Sequence, residues 1–176
     1  MIYADHAATT KISETAKLAM LSAMEKDWYN PSSLYTPGQQ ASGTLMDARV
    51  RIAHCLGCLP KEIYFTSGGS EADNQAILSA AAIGKRQGKM HIISTAFEHH
   101  AVLHTLKKLE KEGFEITLLD VGEKGIVSPV QVEKAIRPDT ILVTVMYANN
   151  EIGTIQPIRE IGAICRKNGV LFHTDA

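Results

Sequence analysis

Apolar residues return every three or four positions between Glu14 and Lys26, at Ala16, Ala19, Met20, Ala23 and Met24, and give way to the turn-forming run Asn30-Pro31-Ser32-Ser33. The spacing predicts a short amphipathic helix and then a loop. A second helical stripe spans Gln39 to Leu56 through Leu45, Ala48 or Arg49, Ile52 and Leu56, with Gly57 placed to stop it. The period then changes. Ile63-Tyr64-Phe65-Thr66 reads as a short strand broken by Ser67-Gly68-Gly69, and Ser70 opens an Ala-rich helix reaching Arg86.

After Gly88 the two periods alternate: strand at His91–Ser94, helix at Ala101–Lys111, strand at Glu115–Leu119, helix at Pro129–Ile136. The run Thr140–Met146 is almost unbroken in apolar and β-branched residues, as a strand covered on both faces of a parallel sheet requires. A helix at Ile158–Lys167, a stop at Gly169 and a strand at Val170–Thr174 follow. This rhythm predicts an α/β fold with a doubly wound, mostly parallel sheet. No internal repeat or linker-like tract divides it. The sequence closes at Asp175-Ala176, directly after a predicted strand, where such a unit normally continues into a covering helix; the expectation is a truncated domain.

Composition adds exclusions. With 176 residues, 45% hydrophobic and 21% charged, the chain is expected to be one soluble folded core. Eighteen Lys and Arg oppose nineteen Asp and Glu, a formal charge of −1, which offers no basic excess for nucleic acid or an anionic membrane surface. Cys55, Cys58 and Cys165 make an odd count that suits a reducing compartment, and neither a leader nor a membrane span is legible, so a cytoplasmic location is expected. Cys55 and Cys58 carry redox or half-zinc spacing but sit at a helix end without a second pair, and are read as structural thiols.

Ligands of open α/β sheets bind outside the carboxyl ends of the strands, so the polar residues there carry the candidate chemistry. Ser67-Gly68-Gly69-Ser70-Glu71 lies at a strand-to-helix turn, where a helix N-terminus offers free N–H groups to a phosphate. An ordinary capped turn, with Ser70 and Asp73 as the capping pair, explains it as well. Glu98-His99-His100 follows the His91–Ser94 strand and puts an imidazole near the same end; adjacent histidines diverge on a helix, so no metal site is expected. Asn149-Asn150-Glu151 offers amides or a simple polar turn. Asp175 closes the last strand, and a carboxylate there implies a cation nearby. A phosphate cradle, an imidazole, an amide and an acid converging on one cleft describe a site for a phosphorylated aromatic cation such as pyridoxal 5′-phosphate (PLP).

Six strings in order, Tyr3–Thr10, Asn30–Ser33, Thr66–Asn74, Glu98–Leu103, Asn149–Gly153 and His173–Ala176, resemble the PLP-dependent cysteine desulfurases of aminotransferase class V. The resemblance covers the whole chain and implies the N-terminal portion of a fold type I large domain. It assigns Gly69 and Ser70 to the cofactor phosphate, His99 to stacking on the ring and proton transfer, Asn150 to the ring oxygen and Asp175 to the ring nitrogen. Ala8 and Thr9 resemble a segment beside the substrate. Residues 1–13 would then form that segment and residues 14–176 the first part of the PLP-binding domain.

The implied activity converts L-cysteine to L-alanine and leaves a persulfide sulfur on the enzyme for iron–sulfur cluster or thio-cofactor synthesis, with a sulfur-acceptor protein as partner and a homodimer as the assembly. Tyr35 and Ala72 depart from the residues usual at their positions in the family. The family's Schiff-base lysine and nucleophilic cysteine have no counterpart in these 176 residues, and Cys55, Cys58 and Cys165 do not fall at the nucleophile's place. The chain alone is therefore expected to be inactive and to bind PLP weakly or not at all. Two other readings stand beside this one: an inactive homologue serving as a binding or pairing module, and another fold type I enzyme such as a selenocysteine lyase or aminotransferase.

Overall fold

The computed structural model describes residues 2–176. They form two compact units, residues 2–65 and Thr66–Ala176.

The first unit holds α1 (Glu14–Lys26) and α2 (Thr36–Leu56). The Ser13 hydroxyl starts α1 by accepting the Ala16 N–H at 3.2 Å. Helix α2 begins three residues before the predicted Gln39, because Pro37 fits a first helical turn, where its missing N–H has no intrahelical role. It ends at Gly57, whose left-handed φ of 67° lets the Cys58 N–H return to the Ala53 carbonyl at 3.0 Å.

The expected strand at Ile63–Thr66 does not form: a short 3₁₀ turn at Pro60–Glu62 leads into an unpaired stretch. Strands exist through ladder partners, and here the Arg49 guanidinium takes the Ile63 carbonyl and lies 4.9 Å from the Phe65 ring centre. Tyr64 and Phe65 are exposed.

The second unit is doubly wound. It contains α3 (Gly69–Arg86), β1 (His91–Thr95), α4 (His100–Lys111), β2 (Glu115–Leu119), α5 (Pro129–Ala135), β3 (Thr140–Thr144), α6 (Ile158–Lys167) and β4 (Leu171–His173). All strand pairs are parallel, in the order β2-β1-β3-β4. The central strands β1 and β3 are buried along their whole length, which is why their sequences lack polar alternation, whereas β2 and β4 are edges and partly exposed.

One core joins Ile77 and Ala81 of α3 and Val102 and Leu106 of α4 to Ile92 and Leu142; the other joins Val132 of α5 and Ile161 and Cys165 of α6 to Ile93 and Val143. Alternate residues of each central strand thus face opposite helical layers. Cys165 is a core residue, and burial pushes its thiol up to about 11. Gly84 brings α3 against the sheet: a Cβ there would lie 2.9 Å from the Ile141 side chain and 2.6 Å from the Lys89 carbonyl. His91 bonds Thr140 Oγ1 at 2.7 Å and Thr117 Oγ1 at 2.8 Å, linking three strands, and burial lowers its pKa. Strand β3 ends at Thr144: the Met146 N–H turns to a side chain at the carboxyl end of the sheet, while the Val145 and Tyr147 N–H groups still reach the His173 and Asp175 carbonyls on the β4 side.

Candidate active site

From β1 the chain crosses to β2 on one side and then returns to β3 on the other. The winding reverses between β1 and β3, and a crevice opens there at the strand carboxyl ends. A single carboxylate bridges these two ends. Glu98 Oε1 accepts the Thr95 hydroxyl at 2.7 Å and the Met146 N–H at 3.0 Å, while Oε2 is buried without a partner among the described residues. Burial pushes Glu98 up to about 7, and the neighbouring Asp175 and Asp73 act in the same direction.

An open cavity of about 290 Å³ lies at this end of the sheet, lined by Gly69, Ser70, Asp73, His99 and Asp175. All of these but Asp73, one turn into α3, are delivered by the start or end of an element. Gly69 and Ser70 form the first turn of α3, where N–H groups lack intrahelical partners and no side chain supplies a cap. His99 is the N-cap of α4; its Nδ1 accepts the Ala101 N–H at 3.2 Å, which leaves the proton of the neutral ring on Nε2. Asp175 follows β4, held by its carbonyl, which accepts the Tyr147 N–H at 2.7 Å.

The alternative reading of Ser70 and Asp73 as a capping pair is corrected. Gly68 is the N-cap residue, and the side-chain bonds at this turn run from the Ser67 N–H and hydroxyl to Glu71 Oε2, at 2.6 and 2.5 Å. They lower the Glu71 carboxyl below its ordinary range. Asp73 is buried and faces Nε2 of His173 at 3.4 Å, while His173 Nδ1 bonds Thr144 Oγ1 at 2.8 Å. Burial and the nearby Asp175 raise the Asp73 pKa, against the opposing pull of His173 and His99; burial lowers that of His173.

The cavity therefore gathers Gly69, Ser70, His99 and Asp175, and adds Asp73. Asn150 is exposed on the loop after β3 and does not line the cavity, whereas Asn149 is buried and braces that loop, its amide donating to the Phe97 carbonyl at 3.0 Å. Ala8 and Thr9 lie on an exposed turn of the first unit, their N–H groups bonded to the Asp5 carbonyl at 3.2 and 3.4 Å. Asp73 carries a signal that spacing alone could have revealed. It continues the buried stripe of Ile77, Ala80, Ala81 and Gly84, and a carboxylate on such a stripe demands a partner.

The residues fit a phosphorylated ligand. A Cβ on Gly68 or Gly69 would meet nothing within 4 Å, and neither residue has a left-handed φ, so packing and backbone conformation leave both glycines unexplained. Bare backbone at an uncapped helix start is what close approach of an anion requires. No group of three or more metal-ligating side chains occurs among the described residues.

Fold and site together define an α/β domain with a cavity built around an uncapped helix start and a strand-end acid. The chain belongs to the class-V aminotransferase family, whose model matches residues 2–176. It is 51% identical over 175 residues to a putative cysteine desulfurase IscS 1 of Bacillus subtilis (strain 168), covering 99% of this chain and 46% of that one. It is 50% identical to a cysteine desulfurase IscS of Methanosarcina thermophila, covering 43% of its length. Among solved structures, a NifS-like protein superposes with a TM-score of 0.93 at 36% identity, over 98% of this chain and 47% of that one. The structure described as SspA in complex with cysteine gives 0.92 at 38%, over 99% and 50%. The chain thus spans about half the length of these relatives. No helix among the described residues is long and apolar enough to cross a membrane.

Proposed function

We propose that this chain forms the first part of a PLP-dependent cysteine desulfurase and carries the phosphate and ring-nitrogen contacts of its cofactor site. The observation that carries the reading is the convergence of the α3 start, His99 and Asp175 on one cavity. The Gly69 and Ser70 N–H groups and the Ser70 hydroxyl bind the phosphate, aided by the helix dipole. Asp175 accepts a hydrogen bond from the ring nitrogen and favours its protonated form. His99, with Nδ1 occupied by its own helix cap, presents a ring face and Nε2 toward the reacting end. When bound, PLP supplies an electron sink for removing a proton from the substrate α-carbon.

Residues 1–13, with Ala8 and Thr9, serve the substrate side, and residues 14–176 the first part of the PLP-binding domain. Asn150, which stands outside the cavity lining on the loop after β3, is assigned to the ring oxygen by the family resemblance. L-Cysteine as substrate is supported by the cysteine desulfurase relatives and by the cysteine in the SspA complex. A sulfur-acceptor protein, a homodimeric assembly and the cytoplasm complete the proposal. No residue of the chain takes the roles of the cofactor lysine or the sulfur-accepting cysteine, so the 176 residues alone are inactive.

The test is alanine and sulfide release from L-cysteine by the chain alone and by the chain joined to the remaining length of the Bacillus subtilis relative. The joined protein is expected to turn over and to lose activity on Asp175→Ala, while the chain alone stays at the background of free PLP. Turnover by the chain alone, or none by a folded joined protein that binds PLP, contradicts the assignment.

A further inference from the structure

The two anchors of the proposed cofactor site stand on different elements. The anion cradle is the first turn of α3; the acid Asp175 follows β4. One buried pair of side chains, of which Asp73 lines the cavity, joins these elements. Asp73 lies one turn into α3, three residues after Ser70, and so shares its side of the helix. His173 ends β4, two residues before Asp175, and so shares its side of the strand. The two side chains meet at 3.4 Å with 7% and 14% of their surfaces exposed.

The Thr144 hydroxyl, 2.8 Å from Nδ1, comes from the neighbouring strand β3 and fixes the plane of the imidazole. With that hydroxyl donating to Nδ1, the neutral ring carries its proton on Nε2 and offers it to Asp73. The link needs no net charge on the histidine, in keeping with the depressed pKa that burial gives it.

We propose that Asp73 and His173 are positioning residues of this site: their pair sets the span between the phosphate cradle and Asp175, so that one rigid ligand engages both at once. The inference rests on the cofactor reading above. Its physical content is a coupling. A phosphorylated pyridine held at one end pays little further ordering cost at the other only when the two anchors are fixed relative to each other. Loosening the pair therefore penalises ligands that span the site and spares those that use the cradle alone. Asp175, His99 and Glu98 also face Asp73, and Asp175 faces His173, so the comparison is made at a single pH.

The probes are 4′-deoxypyridoxine 5′-phosphate, which has a phosphate and a ring nitrogen but no aldehyde, and inorganic phosphate. Both are titrated calorimetrically into the chain joined to the remaining length of the Bacillus subtilis relative and into its His173→Gln, Asp73→Asn and Thr144→Val variants, each with and without Asp175→Asn. The ring-protonated absorbance band of the bound analogue is read in parallel.

The expected result is that His173→Gln weakens the analogue about tenfold, leaves phosphate unchanged, and shrinks both the ring-protonated band and the effect of Asp175→Asn, while Asp73→Asn, which also removes a charge from the cavity lining, weakens the analogue about tenfold relative to phosphate. Thr144→Val acts in the same direction with smaller amplitude. Unchanged analogue affinity, an undiminished Asp175→Asn effect, or equal losses for analogue and phosphate overturn the proposal. Should the buried-pair variants not fold, an unaltered band and affinity in Thr144→Val overturn it. If the joined parent protein binds the analogue no more tightly than phosphate, the cofactor reading itself fails and the inference with it.

Discussion

Glu98 accepts the backbone N–H of Met146 at 3.0 Å and so ties the ends of the two central strands together at the point where the winding of the sheet reverses. The same carboxylate holds the residue beside His99, which makes it a brace for one wall of the cavity.

That brace has a pH signature. Burial pushes Glu98 up to about 7 from an ordinary 4.5, so the folded chain holds this proton more tightly than the unfolded one. Its contribution is fully present below about pH 4.5 and is lost as pH rises through 7, with an upper bound of about 3 kcal/mol from 1.36 kcal/mol per unit. His173, depressed by burial, acts oppositely, costing stability as pH falls below its ordinary 6.5. Comparison with Glu98→Gln isolates the first effect. Denaturant unfolding at pH 5 and pH 8 should show a stability difference between parent and variant that shifts in the variant's favour at pH 8. A constant difference contradicts the assignment.

The glycines of α3 should divide into two kinds. Gly69→Ala adds a Cβ to open space and should leave the melting temperature unchanged while weakening inorganic phosphate binding. Gly84→Ala drives a Cβ to 2.9 Å from Ile141 and should cost about 1–3 kcal/mol with no local effect on the cradle. Thermal melts and phosphate titrations on both variants check this.

Helix α1 buries none of its residues, and Leu18, Leu21, Met24 and the following Trp28 are exposed. An apolar surface of this kind favours association. Light scattering at micromolar concentration should report a dimer or larger species, and Leu21→Glu with Met24→Glu should shift it toward monomer. A monodisperse parent monomer contradicts the homodimeric part of the proposal.

The doubly wound sheet was legible because β1 and β3 have no polar alternation and the helices between strands repeat the 3.6-residue period. Helices α1 and α6 fall on the predicted bounds, and strand β2 does too. Ile63–Thr66 misled because β propensity describes a surface that can pair, while pairing itself is set by neighbours the local sequence does not contain. Ser70, Gly69, His99 and Asp175 were legible as residues at element ends. The Asp73–His173 pair was not, since it joins positions a hundred residues apart, and neither was the Glu98–Met146 tie. Both depend on the β1-β3-β4 adjacency that only the folded sheet provides.

The central claim is that one cavity takes a phosphorylated pyridine by both ends. Amide NMR of the chain joined to the remaining length of the Bacillus subtilis relative, during titration with 4′-deoxypyridoxine 5′-phosphate and, separately, inorganic phosphate, tests it most directly. Phosphate should shift Gly69 and Ser70; the analogue should shift these together with His99, Asp175 and Tyr147, whose N–H bonds the Asp175 carbonyl. Shifts by the analogue confined to the phosphate set, or centred on the opposite end of the sheet around Lys89 and Arg137, would contradict the account.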